Sequence, residues 1–319
     1  MRGIQDRKIK IYKQEQRRRN IMKARRKREL RRNILVISII LFALVVTKLS
    51  LYANSDSGHS DYVKQKNPEK VVTEESTTDD IKYNIGTPKK RTKEEVKEKL
   101  KKFAKKDERM NYVYKNRAGY PDDMLSALVN TPEMVDFVRG YLDAPSRVSG
   151  GITKSEKKKK YPLFNQWDTR WAYARYGDSN IGIAGCGPTC LSMVIFSLTR
   201  NEEATPDRIA EFSEDNGCYI DGVGTAWTLM TAAASEYDVS AYSISLSEIT
   251  MKNQLNEGNL IICAVGPGDF TTEGHFIVIY GYDKDGFMVN DPNSVARSNR
   301  RYAFEQLKSE IKSLWAYSY

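Results

Sequence analysis

The sequence is poor in metal ligands and in paired thiols. Its 319 residues hold two histidines and four cysteines. The cysteines, Cys186, Cys190, Cys218 and Cys263, include no pair at CxxC spacing, which argues against a structural zinc site and a dense disulfide scaffold. A phosphate cradle is missing too. The one glycine-rich loop, "GPGDF" (266–270), has neither the lysine nor the helix start that such a loop needs, and it reads as the rim of a site. No metal or organic cofactor is expected. Positive charge is also missing from the body of the chain: Met1 to Arg32 carry fifteen Lys/Arg and three acids, a net of +12 against +10 for the whole, so everything after Arg32 sums to −2. A near-neutral body lacks the electrostatic footprint of a nucleic-acid binder.

The basic block (1–33) is followed by "ILVISIILFALVV", an uncharged run from Ile34 to Val46 that extends through "TKLSLYA" to a length able to cross a bilayer, with Lys48 snorkelling. Two readings stand for 34–52. One is a membrane anchor with its positive flank in the cytoplasm; the other is a signal peptide cut after Ala53. Both carry the body across the membrane. Residues 53–91 are polar and without period, as in a flexible tether, and His59 lies there as a solvated bystander.

Regular patterning starts at Thr92. Thr92 and Glu95 fit a capping box before Val96, Leu100 and Phe103 on one helical face. "YPDDMLSALVN", with Asp122 as cap, and "TPEMVDFVRGYLDA", with an early proline, complete a helical preface over 92–149. Its role is either to cover the main domain or to dock substrate. A mobile basic connection (150–160) leads to the main domain, 161–319. There a helix from Pro188 to Arg200, an amphipathic one from Thr205 and a third in "AWTLMTAAASEY" precede the strand candidates "VSAYSI", "NLIICAV", "HFIVIYGYD", "GFMVNDP" and "SLWAYSY". "YDKDG" is hairpin chemistry. Helices first and antiparallel strands afterwards predict an α+β domain with its helices on one side of the sheet.

The chemistry centres on "GIAGCGPTCLSMVI" (182–195). Cys186 stands between two glycines at the start of a helix, where unpaired N–H groups favour a thiolate, and the glycines leave room for a substrate backbone. A base is supplied by His275 at the start of a strand, after Gly274. "VNDPNS" ends the next strand with Asn290 and Asp291, and across a hairpin the start of one strand meets the end of the next. A carboxylate there can fix the imidazole tautomer. Gln166, in "LFNQWDTRW", offers an amide to an oxyanion beside the Cys186 backbone N–H. Cys190 lies one turn after Cys186, and it, Cys218 and Cys263 read as packing. Trp167, Trp171 and Trp227 either line a cleft or fill the core.

"NQWDTRW", "GCGPTCLSMV", "GPGDFTTEGHFIVIYGY" and "VNDPNS" together closely resemble the bacterial C39-like cysteine peptidases, whose fold is papain-like. The resemblance covers Tyr161 to Tyr319. It implies Cys186 as nucleophile, His275 as general base and acid, Asp291 as its orienting partner, with Asn290 as the rival, and Gln166 as oxyanion donor. The transporter and nucleotide-binding segments of the bacteriocin-exporting members are missing, so cleavage of a double-glycine leader during export is not expected. The implied activity is hydrolysis of a peptide or amide bond in a peptide, protein or cell-wall substrate outside the cytoplasm. Two alternatives use the same residues or fold: an acyl transferase in which an amine replaces water, and a non-catalytic binding module.

Overall fold

The computed structural model describes residues 83–144, 148 and 150–319. The basic tail, the 34–52 segment and the tether as far as residue 82 lie outside them. Among the described residues no helix is long and apolar enough to cross a membrane.

The preface forms α1 (Lys93–Ala104), α2 (Glu108–Lys115), α3 (Asp122–Asn130) and α4 (Val135–Gly140). The Thr92/Glu95 capping box is present. One break differs from the sequence expectation: Asp107 accepts from the Arg109 N–H and starts a new helix, so the stretch after Thr92 makes two helices. At α3 the cap position is Pro121, with Asp122 already inside the first turn. Leu100, Met110, Leu128, Phe137 and Val138 bury themselves in a cluster that also takes in Ala172 of the main domain, with Trp167, Tyr173 and Ile183 packed against it. Full burial of each large side chain there contributes about 1.5–3 kcal/mol. The preface and the main domain therefore share a core. Residues 83–91, the near end of the expected tether, are tied to this bundle: the Tyr83 hydroxyl donates to Asp107 at 2.8 Å, and Ile85 is buried. The 150–160 connection is likewise pinned, since Glu156 closes a capping box with Thr153 and takes both arms of Arg170 at 2.7 and 2.8 Å.

The main domain contains α5 (Cys186–Thr199), α6 (Pro206–Asp215), α7 (Leu229–Glu236), β1 (Ser240–Ser243), α8 (Glu248–Asn256), β2 (Leu260–Val265), β3 (His275–Asp283), β4 (Gly286–Asn290), α9 (Val295–Ser298), β5 (Arg301–Tyr302), α10 (Phe304–Glu310) and β6 (Ile311–Ser318). The six strands form one antiparallel sheet in the order β1-β6-β2-β3-β4-β5. The C-terminal strand thus lies inside the sheet. Helices cover both faces, which corrects the one-sided expectation. Ile262, Ala264, Phe276 and Val278 pack with α5 and α7, whereas Ile261, Cys263, Ile277 and Ile279 pack with Met251 of α8 and Leu307 of α10. The reason is visible in "LIICAV": a strand apolar at every position has no solvent face, and all six residues are buried. The "YDKDG" hairpin joins β3 to β4, with Asp283 paired to Gly286 and Gly286 at φ +131°.

Candidate active site

α5 begins two residues earlier than the apolar pattern predicts, at Cys186 itself, with Gly185 as its cap. Cys186 is half-buried, and the rest of the first turn is fully covered. The flanking glycines are also required by the protein's own packing. A Cβ on Gly185 would stand 2.5 Å from the Ile181 carbonyl oxygen, and one on Gly187 would stand 2.7 Å from Thr225. The corner that presents the sulfur is thus set by contacts that any larger residue would break.

β3 starts at His275, opposite Val265 of β2. The His275 ring is buried, and its Nε2 lies 2.8 Å from Asp291 Oδ1. Cys186 lines the same cleft as the ring, and its thiol acts on the ring's protonation. With Nε2 committed to the carboxylate, Nδ1 is the ring nitrogen left for the sulfur. Asp291 and Asn290 end the neighbouring strand, and the structure separates them. Asn290 turns its amide to the Pro162 carbonyl at 3.2 Å, while Asp291 takes the ring. The register pairs Asn290 with Val278, so Asp291 reaches His275 on the diagonal.

Asp291 is fully buried and accepts three hydrogen bonds. Its Oδ1 takes the Asn293 N–H at 2.8 Å as well as the ring, and its Oδ2 takes Arg297 Nε at 2.5 Å. Burial alone opposes the charge; the Arg297 cation, the His275 ring and these hydrogen bonds outweigh it and hold the carboxyl at about 2. The same competition runs in reverse at His275. Burial pulls the ring's pKa down, but the Asp291 carboxylate, its hydrogen bond and the thiol push it up to about 9. The imidazolium therefore persists at neutral pH, which makes the ring a proton donor poised beside the sulfur.

Gln166 is buried, and its Nε2 donates to the Gly182 and Ile183 carbonyls, both at 3.1 Å, while its Oε1 has no partner. Both amide hydrogens are engaged within the segment that leads into Cys186, so donation to an oxyanion requires one of these bonds to be exchanged. The Gln166 backbone N–H donates to the Pro292 carbonyl at 2.7 Å, tying this segment to the Asp291 loop.

A cleft of about 1000 Å³ opens over Cys186 and His275. One side is the hairpin Tyr219–Thr225, where Val223 is 77% exposed; Trp227 stands beside it, edge-on to Trp315 at 5.8 Å. The other side is the preface, through Pro121, Met124 and Tyr141. Gly266 and Pro267 form part of the rim, as the "GPGDF" reading expects. Of the three tryptophans, Trp227 lines the cleft, Trp171 is core, and Trp167 packs on the preface with its indole N–H on the Asn293 carbonyl at 3.1 Å. Cys190 and Cys263 are buried, and burial raises both thiols well above the usual range. All four cysteines are free, and among the described residues no group of His, Cys, Asp and Glu is placed to hold a metal ion.

The model of the Peptidase_C39 like family matches residues 158–319, half of the chain. The chain belongs to that family. Two solved structures resemble this C39-like chain. The peptidase domain of Streptococcus ComA, a bi-functional ABC transporter involved in a quorum sensing pathway, is 21% identical, with a TM-score of 0.37, over 50% of this chain and 98% of that one. A candidate C39-like peptidase from Bacillus anthracis is 16% identical, with a TM-score of 0.31, over 53% of this chain and 98% of that one. A search of curated proteins found no match.

Two residues of the site were missed by sequence reasoning. Arg297 is one of three arginines within five residues, with Arg300 and Arg301, and nothing in its spacing separates it from a surface charge. Its only signal is its place six residues after an acid that had already been singled out. Glu133 sits 161 positions from the side chain it binds, Ser294, which no local pattern shows.

Proposed function

We propose that the chain is a cysteine peptidase or amidase that hydrolyses a peptide or amide bond through a thioacyl intermediate. The observation that carries this reading is the His275 imidazole held at 2.8 Å on the buried Asp291 carboxylate, in the cleft that the half-buried Cys186 also lines. The Cys186 thiolate attacks the carbonyl carbon, and the C=O electrons move to oxygen. The C–N bond then breaks as His275 passes its Nδ1 proton to the leaving amine. Neutral His275 next takes a proton from water, the oxygen attacks the thioester, and the thiolate leaves. Donors at the start of α5 support the oxyanion, joined by Gln166 if its amide exchanges partners. The cleft suits an extended peptide with apolar side chains against Trp227 and Val223. The basic block followed by the apolar 34–52 segment supports a site outside the cytoplasmic membrane, acting on envelope peptide, protein or cell-wall peptide.

The test compares the envelope proteins and peptides of cells expressing the wild type with those expressing Cys186→Ser, in water enriched in heavy oxygen. The reading expects uncleaved material in the variant, and wild-type products that carry one heavy oxygen at a new carboxyl end. Products joined to an amine instead would make the chain an acyl transferase, and identical profiles would leave it a binding module.

A further inference from the structure

One carboxylate of the preface reaches the loop that holds Asp291. Glu133 Oε2 accepts from the Ser294 hydroxyl at 2.5 Å, and its Oε1 accepts from the Ala296 N–H at 2.9 Å. Both groups start α9, a helix of four residues. A single turn does not recover its own nucleation cost, so its geometry depends on outside partners. α9 carries Arg297, whose Nε lies on Asp291 Oδ2 at 2.5 Å, and Ser298, whose hydroxyl accepts the Asp291 N–H at 2.8 Å. The guanidinium has little else to aim it: Arg297 is fully buried, yet Nη1 and Nη2 have no partner. Its direction is set by the backbone of α9. The preface is clamped at the other half of the site as well, where a Cβ on Gly182 would meet the Phe137 ring at 2.4 Å and the Tyr173 hydroxyl donates to the Phe137 carbonyl at 3.1 Å.

We propose that Glu133 is a positioning residue for the Cys186, His275 and Asp291 centre: it fixes α9, which keeps Arg297 on Asp291 and Asp291 on the ring. The helical preface is then part of the catalytic apparatus as well as a wall of its cleft. This rests on the reading under Proposed function. The charged and titratable groups that interact electrostatically with the His275–Asp291 pair are Cys186 and Cys190 from α5, Arg297 from α9 and Tyr302 from β5. A loosened α9 withdraws the carboxylate from the ring, so the imidazolium that supports the thiolate is lost first.

The experiment measures iodoacetamide labelling of Cys186 against pH, by mass spectrometry, in the full chain and in Glu133→Ala, Glu133→Gln and Val138→Ala. Losing an opposite charge from a buried partner moves a titration by about one unit or more, so Glu133→Ala should shift the acid limb of labelling upward by roughly one unit and slow it about tenfold near pH 6. Glu133→Gln, which keeps one acceptor oxygen, should fall between. Val138→Ala, in the preface core, should lower the melting temperature and leave the limb in place. If Glu133→Ala does not fold, the Glu133→Gln limb decides: shifted supports the proposal, unshifted overturns it. A limb unmoved by both Glu133 variants, or moved as far by Val138→Ala, overturns it while a fast wild-type Cys186 leaves the peptidase reading intact. A wild-type Cys186 no faster than a free thiol overturns both.

Discussion

Asp291→Asn removes the charge at the centre of the site while keeping its shape. In the wild type the His275 ring titrates at about 9 against an ordinary 6.5. Since its burial lowers the pKa and the carboxylate is the leading group that raises it, the variant should titrate below 6.5. At neutral pH the imidazolium population then falls from roughly 99% to below about a quarter. The shift between 6.5 and 9 corresponds to about 3 kcal/mol of folding stability at neutral pH. The variant also leaves Arg297, whose Nε was on the carboxylate, as a buried cation without that partner. Removing one member of a buried ion pair costs about 3–5 kcal/mol, and because both effects belong to one cluster they do not add. The chain has two histidines, His59 and His275, so a proton–carbon spectrum resolves two ring signals, assigned with His59→Gln. A wild-type His275 midpoint near 6.5, or one that Asp291→Asn leaves in place, would refute the reasoning.

Three further outcomes follow from the geometry. Gly182→Ala forces a methyl into the Phe137 ring, with 2.4 Å to the nearest carbon, and should cost about 1–3 kcal/mol in urea unfolding; an unchanged midpoint would mean that the preface is not seated on this segment. Trp227→Ala, at a half-exposed cleft residue, should leave stability within about 1 kcal/mol but raise KM about tenfold for the substrate found in the envelope comparison; equal loss of stability and kcat would move Trp227 from cleft to core. Stability should also depend on pH at both ends of the range. The raised His275 contributes fully below 6.5 and its share is lost as pH climbs through about 9, whereas the depressed Asp291 contributes above 3.8 and its share is lost as pH falls toward about 2. Unfolding midpoints flat across both windows would contradict these shifts.

The elements that read clearly in the sequence are those whose pattern is local. Thr92 and Glu95 declare a helix start by spacing alone, and "YDKDG" declares its hairpin. The meeting of His275 with Asp291 followed from strand order, because a hairpin fixes which ends are neighbours. The choice of Asp291 over Asn290 did not follow, since it depends on Pro162 taking the amide from 128 positions away. The second helical layer was hidden for a related reason: α8 and α10 are short, and only the unbroken apolarity of β2 signals that both faces of the sheet are covered. The glycines beside Cys186 were visible, but their partners, Ile181 and Thr225, belong to the folded chain. Arg297 and Glu133 illustrate the same limit, as a charge becomes a structural ligand only when the fold supplies the other half.

The most direct measurement is a time course of iodoacetamide labelling of all four cysteines across pH, in wild type and in His275→Ala. The account predicts that wild-type Cys186 is labelled fastest of the four, that Cys190 and Cys263, both buried, stay protected until the chain unfolds, and that His275→Ala slows Cys186 by about tenfold or more. Labelling of Cys186 that rises only near about pH 8.5, alike in both proteins, is the behaviour of an isolated thiol and would contradict it.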